Sequence, residues 1–185
     1  MKRALAVVAL IWCASPAFAE PVTYLDSKFH FSLAHPSDWT VKEPQGNFRY
    51  QVTSPESGMT CRVFVNDVPG GNRPDDVIRD TLENRWSDAD WQTMLADSHP
   101  NMKIRESSVD HLADGWPANT ILFRSNDDIG RIVFFRMEHY LMTARNGKIY
   151  TADCYERDEA KLEALWERWG AEAGAVIKSF RVTAE

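Results

Sequence analysis

The sequence has 185 residues, with 21 basic and 27 acidic side chains, a formal net charge of -6 and 44% hydrophobic residues. That length accommodates one domain with a full core. Net acidity without any run of basic residues argues against nucleic acid or anionic lipid as the main partner, since either demands a basic patch.

The chain opens with MKRALAVVALIWCASPAFA, residues 1–19, which reads as a secretory leader. Lys2 and Arg3 form a charged start, Ala4 to Ala14 is apolar but too short to span a bilayer, and Ala17-Phe18-Ala19 offers small residues at a cleavage site. Trp12 before Cys13 is too bulky for a lipoprotein signal. The expectation is a periplasmic or secreted chain over residues 20–185, with no membrane insertion after cleavage.

Two cysteines then remain, Cys61 and Cys154. An even pair in an exported chain favours a disulfide, worth up to about 4–5 kcal/mol for so long a loop. Two buried thiols on separate strands are the other reading.

From Phe29 the periodicity is that of strands. Phe29, Phe31 and Leu33 alternate with His30 and Ser32, and Pro36-Ser37-Asp38 is turn chemistry. Trp39 and Val41 begin a second alternation; Phe48, Tyr50 and Val52 make a third. Met59, Cys61, Val63 and Val65 form a fourth, stopped by Pro69-Gly70-Gly71. The period then changes. Pro74-Asp75-Asp76 starts a helix bearing Val77, Ile78, Leu82 and Trp86, and a second helical turn around Trp91, Met94 and Leu95 ends before Pro100. Strands return at Met102 to Val109, Asn119 to Arg124 and Arg131 to Ala144. Asn146-Gly147 joins the last of these to Lys148 to Tyr155 as a tight hairpin. From Asp158 a helical stripe of Leu162, Leu165, Trp166, Trp169, Ala173, Val176, Ile177 and Phe180 closes the chain. This grouping predicts a single α+β domain with a central, mostly antiparallel sheet flanked by helices.

An aromatic strand entering a proline turn, followed by a tryptophan and a second strand, is carried here by Phe29, Phe31, Leu33, Pro36, Trp39 and Val41. In this the chain resembles the PsbP-like fold family. That family includes the extrinsic lumenal subunit of photosystem II, a nuclear Ran-binding factor and small exported bacterial proteins of the DcrB type. The resemblance runs coarsely over residues 23–182, through the closing Ile177-Lys178-Ser179-Phe180. It implies a sheet used for binding rather than catalysis. It brings no catalytic set, no cofactor and no calcium, chloride or manganese role.

Several residues have side chains capable of chemistry. His30 and His35 lack the two-residue spacing that puts ligands on one strand face, and Asp38 is the sole local third ligand. They read as a solvent-facing histidine and a turn histidine, with no metal. A two-residue turn at Asn146-Gly147 places His139 opposite Cys154, Tyr140 opposite Asp153 and Thr143 opposite Tyr150. A Cys beside a His is how a thiolate nucleophile is activated, so a small exported thiol hydrolase using Cys154 and His139 is the alternative function. Asp127-Asp128-Ile129-Gly130 reads as a plain turn without the alternating oxygens of a calcium loop. Trp116, in Asp114-Gly115-Trp116-Pro117, stands in a turn between strands, where a large aromatic needs a reason.

The leading expectation is an exported binding or accessory protein that catalyses nothing. Its partner would be an envelope protein or a small ligand, cationic or neutral given the acidic balance. The expected binding residues are Trp116, partly exposed at a loop rim, with Asp114, Gly70 and Gly71.

Overall fold

The computed structural model describes residues 20–43, 47–69, 73–129, 132–158 and 160–183. The leader expected over residues 1–19 lies outside these, as do Gly70 and Gly71. The chain begins with β1 (Pro21–Asp26), β2 (Phe31–Pro36), β3 (Thr40–Lys42), β4 (Phe48–Thr53) and β5 (Thr60–Asp67). Two helices follow, α1 (Asp75–Leu82) and α2 (Asp88–Leu95). Next come β6 (Lys103–His111), β7 (Pro117–Ile129), β8 (Ile132–Arg145) and β9 (Lys148–Asp158), then α3 (Leu162–Ser179) and β10 (Arg181–Val182).

The strands form two sheets. Seven pair in the order β3-β4-β5-β9-β8-β7-β6, each pair antiparallel, and β1-β2-β10 make a smaller sheet. The domain is α+β, as the alternation of periods predicts. Helix α3 packs on β8 and β9 and also on β2, so it bridges the two sheets. Helix α1 packs against β7 and β8, and Trp91 and Leu95 of α2 bury on Ile121 and Phe123 of β7.

Local chemistry accounts for the turns. Asn146 and Gly147 have φ of 52° and 70°, so both occupy the left-handed region that a two-residue hairpin of this hand requires. The resulting register sets His139 opposite Cys154, Tyr140 opposite Asp153 and Thr143 opposite Tyr150, as predicted. Ser87 caps α2 through a reciprocal pair of bonds with Asp90.

Several expectations need correction. The first aromatic strand starts at Phe31, not Phe29, because Asp26 Oδ1 accepts from the amides of Lys28 (2.9 Å) and Phe29 (2.8 Å) and holds a turn that ends in His30 at φ 56°. His35 is no turn residue: it shares the inward face of β2 with Phe31 and Leu33 and is 5% exposed. Its Nε2 lies 2.7 Å from the Tyr50 hydroxyl and its Nδ1 2.8 Å from the Pro36 carbonyl, so burial is satisfied on both sides. The turn expected at Asp127 to Gly130 is strand as far as Ile129, which pairs with Ile132. Finally, β1 is a strand that the periodicity does not announce. Its alternation is weak because it is an edge, with most of its residues exposed.

Trp116 is the largest correction. It is only 9% exposed. The Leu112 amide donates to the Trp116 carbonyl and the Gly115 amide to the Leu112 carbonyl, both at 2.8 Å, with Gly115 at φ 78°. This tight reversal between β6 and β7 leaves no loop long enough to display the ring. The indole N–H instead donates to the Ala144 carbonyl (3.1 Å), and the Arg145 guanidinium lies 4.5 Å from the ring centroid. The side chain is core.

Cys61 and Cys154 face each other across β5 and β9, with Cα atoms 4.0 Å apart, and their sulfurs are bonded. Both are buried in the larger core, which runs through Phe31, Val52, Val63, Ile177 and Phe180.

Two outcomes follow for stability. Trp116→Ala should cost about 3–5 kcal/mol in urea unfolding, the range for a truncated core aromatic. Thiol titration of the chain from residue 20 should find no free sulfhydryl until reductant is added, and replacing both cysteines by alanine should cost up to about 4–5 kcal/mol.

Candidate functional site

His139 and Cys154 are cross-strand neighbours on one sheet face, but the Cys154 sulfur is committed to Cys61. No thiolate exists to be activated while that bond stands. His139 looks instead into a groove of about 310 Å3 between α3 and the outer strands. The groove arises because α3 lies over β8 and β9 and stops short of β6, leaving Glu106, Ser108 and Asp110 uncovered on that face.

Two glycines in α3 open its inner end. A Cβ on Gly170 would stand 2.8 Å from the Trp166 indole nitrogen, so glycine there lets the indole fold back along the helix. A Cβ on Gly174 would stand 3.9 Å from His139 Nδ1, so any longer side chain would fill the space above the imidazole. Lys178, one turn further on, closes the end.

The groove floor carries hydroxyls. Ser108 and Thr120 are hydrogen-bonded at 2.8 Å, and the Thr120 hydroxyl donates to Asp110 at 3.1 Å. Burial holds the His139 pKa below its usual value; Asp110 and Glu106 pull it up, while Lys178 adds to the lowering. The imidazole is therefore neutral at pH 7, beside two carboxylates and an indole. Such a set suits a positively charged group, which would meet two charges and an aromatic ring.

The other sheet face holds a second polar cluster. Arg62 forms a two-pronged pair with Asp153, at 2.9 and 2.7 Å. Asp153 is buried, and its charge outweighs the burial that alone would lower the Arg62 pKa, holding it above its usual value. Arg136 pairs with buried Glu138 at 2.6 Å. Tyr155 lies within 4.5 Å of the Arg62 guanidinium and 4.0 Å of that of Arg136. Here each cation already has its anion, so the cluster is internally balanced.

The loop expected to bind is braced rather than open. Asp114 accepts from the Trp116 amide (3.1 Å) and from Arg145 (2.5 Å), which holds its carboxyl below the usual range despite partial burial. Among the described residues, no group of three or more His, Cys, Asp or Glu is placed to hold a metal ion, and no helix is long and apolar enough to cross a membrane.

Sequence reasoning missed the groove. Its signals were present: Trp166, Gly170, Gly174 and Lys178 recur every four residues on one side of α3, and Glu106, Ser108 and Asp110 every two along β6.

No family model and no curated protein matches the chain. Among solved structures it is similar to cyanobacterial PsbP from Synechocystis sp. PCC 6803, with 16% identity and a TM-score of 0.60 over 92% of this chain and 96% of that one. It is also similar to the Saccharomyces cerevisiae Ran-binding protein Mog1p, with 6% identity and a TM-score of 0.53 over 89% of this chain and 96% of that one. Identities this low speak for architecture alone. The chain has the PsbP-like fold.

Proposed function

We propose that this is an exported, non-catalytic binding protein that holds a positively charged group of an envelope partner or small ligand in the groove between α3 and β6. The carrying observation is the convergence of Glu106, Asp110, Trp166 and neutral His139 on one cleft of about 310 Å3. That volume suits a side chain or a small ligand. The disulfide supports an oxidising compartment such as the periplasm, in keeping with the leader pattern of residues 1–19. The absence of a free thiol at Cys154 removes the nucleophile that the hydrolase reading requires.

Titration with acetyl-lysine amide, followed by NMR, tests the reading. The Trp166 indole and His139 ring signals should shift saturably, and sodium acetate should not compete. Glu106→Gln with Asp110→Asn should weaken binding roughly tenfold, two partly exposed charges being lost. Affinity should also fall as pH drops through the lowered pKa of His139, on the acid side of the ordinary imidazole range, because protonating His139 places a like charge beside the ligand, next to Lys178. Shifts that cluster elsewhere, or an equal response to acetate, would discard the groove as a cation site.

A further inference from the structure

β6 is the outermost strand of the seven-stranded sheet: it pairs with β7 on one side and with nothing on the other among the described residues. A free strand edge exposes a row of amides and carbonyls that can template another strand. Folded chains commonly blunt such edges with lysine, proline or a bulge. β6 has a bulge between Ile104 and Glu106 and inward-pointing carboxylates at Glu106 and Asp110, which deter a neutral or acidic strand, but from Glu106 to His111 it runs in unbroken register with no lysine or proline.

That regular stretch is the one that walls the groove. Glu106, Ser108 and Asp110 alternate, so all three stand on the α3 side of the strand. A strand added to β6 would lie about 4.8 Å away and keep the same two-residue repeat. Its side chains at positions i and i+4 would then come level with Glu106 and Asp110, about 13–14 Å apart, with position i+2 beside Ser108.

We propose that β6 accepts an extended segment of a partner protein as an added strand, with lysine or arginine at two positions four apart meeting Glu106 and Asp110. This rests on the reading of the groove as a cation site and adds the form of the occupant. Charge argues against a second copy of this chain. Two β6 strands related by a twofold axis at Ser108 would set Glu106 of each against Asp110 of the other, like charges directly opposed. The net charge of -6 adds to that repulsion.

The probe is the acetylated, amidated pentapeptide Lys-Val-Thr-Val-Lys, compared with Glu-Val-Thr-Val-Glu and with versions of the lysine peptide N-methylated at alternate residues in both parities. N-methylation keeps the charges and removes the main-chain donors. The lysine peptide should bind at least tenfold more tightly than the glutamate peptide, and one N-methylated parity should lose at least tenfold. Amide exchange over residues 106–111 should slow on binding. If both N-methylated forms bind as well as the parent, strand addition is wrong and the cation groove survives. Strand addition is equally overturned, and the groove equally kept, if the pentapeptide fails while acetyl-lysine amide still shifts Trp166. Equal binding of the glutamate peptide overturns the charge rule, and dimers joined through β6 in analytical ultracentrifugation overturn the choice of partner.

Discussion

The pairing of β5 with β9 is the joint on which the architecture depends. On one side stands the early meander β3-β4-β5, and on the other the later meander β6 to β9. Only this antiparallel ladder, from Thr60 against Tyr155 to Asp67 against Lys148, makes one sheet of the two. Its two partners lie far apart in sequence, so forming it carries a large loop-closure cost. That cost is offset by a wholly apolar inner face, Cys61, Val63 and Val65 against Tyr150, Ala152 and Cys154, and by the covalent bond at one end.

The two faces of that sheet solve burial differently. On the inner side α3 and the small sheet cover the centre with apolar contacts, with Phe180 ending α3 and leading into β10. On the outer side α1 and α2 cover only the β7 and β8 half, so the β5 and β9 half carries Arg62, Asp153 and Tyr155. A buried ion pair of this kind adds little net stability, since desolvation consumes most of its Coulomb energy, yet removing one partner would strand a charge. The cluster therefore fixes the register of β5 on β9 more than it strengthens it. The groove has the opposite character: its carboxylates face solvent and α3 supplies them with only one ammonium group, that of Lys178.

Much of the fold was legible because it is local. The Asn146-Gly147 hairpin fixes its own register, and the change of period marks α1 and α3 without knowledge of the rest. What failed depended on partners distant in sequence. His35 looked like a turn residue because Pro36 follows it, whereas its burial is decided by Tyr50 on another strand. Trp116 looked exposed because its neighbours Asp114 and Gly115 are turn formers; its fate is set by Ala144 and Arg145. The repeats along α3 and β6 were visible in the sequence, but that they face one another across a groove depends on α3 packing over β8 and β9 and leaving Glu106, Ser108 and Asp110 uncovered.

The sulfur bond also changes what a protease can do. It encloses both α1 and α2 and all of β6, β7 and β8, together with every loop that joins them. A single peptide bond cut anywhere between Cys61 and Cys154 leaves two pieces that the sulfur bond still joins, one on each strand of the β5–β9 ladder. A nicked molecule in an oxidising space therefore remains one covalent body, and the stretch that carries the edge strand can be clipped without being shed.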